Sequence, residues 1–253
     1  MRLRQIALVS NHLDEVVAEL GAVFGLKVAY VDPNVGKYGL RNAVLPCGDS
    51  FLEVVEPTTD AASAARFLAR RGGDAGYMVI LQVGDAQAER DRVARDGARV
   101  VEIIDRPNYF CAHFHPADFG GVLASFDQQR TETDHLKPFG DWMPAGPDWR
   151  AARTDQVIAL ASTTIAGADP DTLARLWSAR IGRALAANDT LRLPLEGGAI
   201  RFAADPAERG ARIAEVELKM RDPAAALARA RAAGLDVQGD GVRIGGVVFR
   251  AVA

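Results

Sequence analysis

Glu53 stands in the middle of the apolar run FLEVV, residues 51–55. Read as a strand, this run places Phe51, Glu53 and Val55 on one face and Leu52, Val54 and Glu56 on the other. A carboxylate on a face otherwise made of Phe and Val is costly to bury unless a partner or a reaction requires it. That makes Glu53 the first candidate for function. Two readings stay open: Arg41, on the preceding strand, neutralises it as a structural ion pair, or it serves chemistry. His113 and His115 are the next candidates. Two apart on a strand, they share a face and can reach one ion; the alternative is that one caps or packs beside Pro116 and the other faces solvent. His12 and His135 read as surface or helix-start residues.

The elements that must position these residues come from an internal repeat. Residues 82–100 align without a gap on residues 219–237, matching Asp85 with Asp222, Arg92 with Arg229, Gly97 with Gly234 and Val100 with Val237. Each copy reads as strand, Asp N-cap, helix, Gly stop, strand. IALVS at 6–10 pairs with IALAS at 158–162, and GGVL at 120–123 with GGVV at 245–248. Each half then holds two units of one strand, one helix and two or three more strands, with strands expected near 3–10, 26–31, 39–46 and 50–56 in the first. Gly245 follows Val237 by only eight positions, against twenty from Val100 to Gly120, so the fourth unit is expected to lack most of a hairpin. Residues 128–153, rich in Pro and Gly, read as a loop whose Trp142, Met143 and Trp149 pin it to a domain or roof a ligand pocket.

Composition narrows the class. The 253 residues are 49% hydrophobic with a net charge of −3, which suits a globular chain of two domains and gives no basic stripe for nucleic acid. No apolar segment approaches a membrane span, and the start of the chain lacks a signal-peptide core. Cys47 and Cys111, without CxxC spacing, suit a reducing cytoplasm. Nucleotide fingerprints and the GxSxG elbow are missing from the sequence.

On the residues QIALV at 5–9, GLRN at 39–42, FLEVVEP at 51–57 and HPADFGGVLAS at 115–125, the sequence resembles the vicinal-oxygen-chelate superfamily, in its glyoxalase-like branch. The resemblance implies an α+β fold of tandem βαβββ modules forming two domains with curved mixed sheets. Their expected bounds are 1–130, a connector over 131–153, and a truncated, degenerate copy over 154–253. It implies a small-molecule ligand, an activity of lyase, isomerase or dioxygenase type with Glu53 as base, and a possible homodimer. The bleomycin-resistance type of the same superfamily implies a non-catalytic binding cup instead, for which Leu3, Ala7, Phe51 and Met78 are apolar wall positions. Its metal positions fall on Gln5, Glu53, Met78 and Ser125. Only Glu53 among these is a strong oxygen donor, so no metal cofactor is expected there; if one binds, His113, His115 and Glu53 are its expected ligands. Gln5, Asn42, Met78, His113, His115 and Ser125 are then substrate-binding candidates. In the second half the corresponding positions are Val157, Arg201, Glu215 and Arg250, read as a buried ion triad or an anion site. The first half, 1–153, is expected to fold alone.

Overall fold

The computed structural model describes residues 1–205 and 210–253 as two seven-stranded mixed sheets. In the first, β1 (Arg2–Val9) and β4 (Ala75–Gln82) lie antiparallel at the centre. β3 (Ser50–Pro57) runs parallel to β1, and β7 (Leu123–Gln129) runs parallel to β4. β2 (Leu40–Cys47) forms one edge, while β6 (Tyr109–Phe114) and β5 (Val100–Arg106) complete the other. Helices α1 (Leu13–Phe24), α2 (Ser63–Arg71) and α3 (Ala86–Arg95) occupy the connections.

The second sheet repeats the scheme with β8 (Val157–Gly167), β9 (Arg192–Leu195), β10 (Gly198–Ala204), β11 (Arg212–Met220), β12 (Val237–Gln238), β13 (Gly241–Ile244) and β14 (Val247–Val252). β8 and β11 are antiparallel at its centre, flanked by parallel β10 and β14. Its helices are α4 (Pro170–Ile181) and α5 (Pro223–Ala232). The repeat is physical down to its caps. Asp85 accepts from the Ala88 backbone N–H and Asp222 from that of Ala225, both at 2.9 Å, each satisfying a donor that the first helical turn leaves unpaired.

One element differs from expectation and one keeps to it. The strand near 26–31 shrinks to pairing at Ala29 and Tyr30 opposite Val44, because Asp32 and Pro33 open a 3-10 turn over 33–38. The fourth unit keeps its hairpin in short form: Val237 and Gln238 pair with Val242 and Gly241. What it lacks is length.

One apolar core joins the two sheets. Phe24 of α1 meets Phe249 of β14 at 5.7 Å, Trp177 of α4 meets Phe119 at 5.2 Å, and α1 packs on α5. The Trp177 indole donates to the Phe119 carbonyl at 3.1 Å, which satisfies the one polar group this burial takes from water. No described helix is long and apolar enough to cross a membrane.

Candidate functional site

β2 and β5 are opposite edges of the first sheet, yet the turn that leads into β2 reaches β5. Tyr38, two residues before β2, donates its hydroxyl to Glu102 on β5 at 2.8 Å. A seven-stranded sheet brings its ends this close only by curling, so the face opposite α1 and α3 is a cup, one end of which α2 covers with Phe67 and Leu68 packed on Val9 and Val55. Ala7, Phe51, Met78, Ile80, Tyr109 and Cys111 line it as a second apolar cluster. Leu3, expected among them, packs into the shared core instead. A bulge in β1 between Leu3 and Gln5 breaks the alternation and turns it to the other face.

Glu53 lies on this inner face between two amides. The Gln5 Nε2 group donates to its Oε2 at 2.8 Å, and the Asn42 Nδ2 group donates to its Oε1 at 2.6 Å. The far end of each amide is held by a group that only donates. The Trp142 indole N–H donates to the Gln5 Oε1 at 2.7 Å, and the Asp32 backbone N–H donates to the Asn42 Oδ1 at 2.8 Å. Since neither donor can accept, both amides must turn their NH2 groups to Glu53. Burial pushes the Glu53 carboxyl above the usual carboxylate range, against the opposing pull of its two amide donors, and Asp32 adds to the rise.

Arg41 does not neutralise it. Arg41 and Glu56 are register partners on the helix side of the hairpin, where the guanidinium meets Glu56 at 2.8 Å and Asp14 of α1 at 2.9 Å. Among the described residues, no Lys or Arg lies within ion-pair distance of Glu53.

A second carboxyl in the cup escaped sequence reasoning. Asp127 is two residues beyond Ser125 on β7 and shares its face; Ser125 and Tyr109 both donate hydroxyls to it. Burial pushes Asp127 up to about 7, against those hydrogen bonds and with the charge of Glu53 adding to the rise. Ser125 therefore orients an acid and does not stand in for one. Ser125, Phe126 and Asp127 alternate polar and apolar, but polar Gln128 and Gln129 break the pattern and mask the signal.

The connector covers this end of the cup. Trp142 stacks on Phe51 at 6.3 Å and 11°, Trp149 meets Phe51 edge-on at 4.9 Å, and Tyr109 meets Trp142 edge-on at 5.8 Å. Behind them Arg4, buried, donates to the carbonyls of Asp49 at 2.5 Å and Gly140 at 3.1 Å; desolvation lowers it to about 10.

The two histidines separate. His113, on β6, faces the cup with its Nε2 3.5 Å from the Cys111 Sγ, and burial pulls it down to about 4, leaving the ring neutral. β6 ends at Phe114, so the shared-face geometry expected of the pair fails: His115 caps the turn over 116–119, its Nδ1 accepting from the Ala117 backbone N–H at 3.2 Å. Met78, 6% exposed, is a wall residue opposite Ala7.

The second sheet corrects two further expectations. β8 starts earlier relative to its helix than β1 does, so the residue corresponding to Gln5 is Ser162, not Val157, which pairs with Met220 in the shared core. The expected buried triad is two partly exposed clusters. Arg250 grips Glu215 at 2.8 and 3.0 Å, while Arg201 stands 3.7 Å from both Asp189 and Glu217.

The superfamily resemblance implies a divalent ion on oxygen donors in the first cup, and the arrangement does not fit one. The Gln5 oxygen is taken by the indole, both Glu53 oxygens and both Asp127 oxygens accept protein donors, and Met78 offers only a thioether. Among the described residues no three His, Cys, Asp or Glu side chains converge as ligands.

Comparison with known proteins gives a family and a likeness of fold. A family model described as the glyoxalase-like domain matches residues 6–181. A mutant of 4-hydroxymandelate synthase from Streptomyces coelicolor superposes over 92% of this chain and 75% of its own, with a TM-score of 0.69 and 15% identity, a likeness of fold. Methylmalonyl-CoA epimerase from Mycobacterium tuberculosis aligns over 50% of this chain and 86% of its own, with a TM-score of 0.45 and 24% identity. No curated protein sequence matches.

Proposed function

The chain belongs to the glyoxalase-like domain family, and from that premise we propose that the first cup binds a small, neutral carbonyl compound on which Glu53 acts as a general base. The observation that carries this reading is the Glu53 carboxylate itself: half-buried in the cup, raised in proton affinity, and held by two amide NH2 groups with no cation within ion-pair distance among the described residues. Such a group is a stronger proton acceptor than an ordinary carboxylate. In the step proposed, Glu53 takes a proton from the carbon beside the carbonyl; the C–H electron pair forms a C=C bond, and the C=O π pair moves onto oxygen to give an enolate. Neutral His113 offers a hydrogen-bonding group on the same face. Return of the proton completes an isomerisation; loss of a leaving group completes a lyase reaction. Nothing in this sequence requires a metal.

The test is deuterium exchange. In D2O, the protein should accelerate exchange of the acidic C–H in members of a panel of small ketones and thioesters. Glu53→Gln should slow that exchange by at least about 100-fold. A second reading, sequestration without turnover, is favoured by the aromatic lining of Phe51, Tyr109, Trp142 and Trp149. Binding of a panel compound that survives Glu53→Gln, with no exchange in the parent protein, would select it.

A further inference from the structure

We propose that Trp142 is a positioning residue: through its indole N–H it locks the Gln5 amide with the NH2 group toward Glu53, and so keeps that carboxyl in its charged, proton-accepting form. The inference rests on the reading of Glu53 as a base and assigns the connector a part in it.

The argument turns on what Gln5 is able to do. A side-chain amide serves either protonation state of a neighbouring carboxyl, donating NH2 to a carboxylate or offering its oxygen to a carboxylic acid. A free Gln5 would follow whichever state Glu53 adopted. Trp142 removes that choice. If the amide turned its NH2 toward the indole, two donors would face one another in a buried site, and both would lose a partner. Trp142 cannot turn away to relieve this. It is 1% exposed, stacked on Phe51, edged by Tyr109, and backed by the Arg4 guanidinium 5.2 Å from its ring. The lock therefore runs from a rigid indole, through one amide, to one oxygen of Glu53.

The other groups that sense Glu53 come from four separate elements: Asp32 before β2, Tyr77 on β4, Tyr109 on β6 and Asp127 on β7. Asn42 supplies the remaining hydrogen bond. All stay in place when only the indole N–H is altered, so a change in Glu53 reports the lock alone.

The experiment follows the 13C-labelled Glu53 carboxyl by NMR in the full-length protein across the acid and neutral range. It compares the parent protein with two variants. One replaces Trp142 by benzothienylalanine, which keeps the bicyclic shape and exchanges the N–H for sulfur; the other is Trp142→Phe. In both, the Glu53 midpoint should rise by about one pH unit, a tenfold gain in proton affinity. An unchanged or lowered midpoint with benzothienylalanine overturns the proposal. A rise in Trp142→Phe alone also overturns it, since packing and not the N–H would then be responsible. If Trp142→Phe does not fold, the isosteric variant decides. The titration needs no substrate, so a failed lock leaves the base reading standing, and a failed exchange assay leaves the lock standing.

Discussion

Arg41 and Glu53 stand on opposite faces of the β2–β3 ladder, although the sequence places them on neighbouring strands. Arg41 pairs across the ladder with Glu56, and Glu53 with Val44. On the helix side Arg41 pairs with Glu56 and Asp14, whereas on the cup side no Lys or Arg among the described residues lies within ion-pair distance of Glu53.

Their stabilities should therefore be independent. Glu53→Gln is expected to leave the melting temperature unchanged or raise it, since it removes the cost of burying a charge while keeping the shape. Arg41→Gln removes an exposed pair and should cost less than about 1 kcal/mol. The double variant should be additive within about 0.5 kcal/mol. Thermal melts of the three variants would expose any hidden pairing, which would show as a loss of about 3–5 kcal/mol in one single variant.

Asp127 should make stability fall with rising pH. The folded state holds its proton up to about 7, whereas an unfolded Asp releases it near 3.8. The favourable contribution is whole below the lower value and is lost as pH climbs through that window. Asp127→Asn should melt higher than the parent at about pH 8 and differ little at about pH 4. Equal shifts at both would refute a buried acid that titrates late.

His113 acts in the reverse sense. Burial lowers it to about 4 from 6.5, so its contribution is present above the unfolded value and is lost as pH falls toward the folded one. Its ring resonances should show no inflection between about pH 6 and 7, where an ordinary histidine titrates. In His113→Gln, acid loss of stability should begin at lower pH than in the parent. An imidazole midpoint near 6.5 would contradict the burial described here.

The first half should not stand alone. A fragment of residues 1–153 uncovers Phe24 and Phe119, whose partners Phe249 and Trp177 belong to the second half. It also strands the Val23 carbonyl, to which Arg229 donates at 2.8 Å. Such a fragment should bind hydrophobic dye and melt without a cooperative transition. A sharp, reversible melt at the parent temperature would show instead that the shared core is dispensable.

The architecture was legible because duplication leaves matched caps and glycines in the chain: Asp85 and Asp222 read as helix starts and are. Glu53 was legible because one acid in FLEVV breaks a pattern. Asp127 was not, because it lies at the end of an expected strand beside polar Gln128 and Gln129, where an acid reads as the start of a loop. The bulge at Arg4 leaves no mark in residue types, so Leu3 read as a cup residue. Trp142 lies 137 residues from Gln5, and no local pattern predicts an indole meeting that amide. Sequence reasoning reaches as far as period and cap. It stops where a bulge shifts a register or a distant segment supplies a partner.

The core shared by the two sheets also sets a clock on biosynthesis. Arg229 reaches Val23 across 206 residues, and a ribosome adding about 5–20 residues per second needs roughly 10–40 s to span that gap. Through that interval the apolar face of α1 has emerged without the helix it packs against. Until the second half is released the nascent chain therefore carries an uncovered apolar flank, and its yield in cells should depend on holdase chaperones more than that of a protein whose halves close independently.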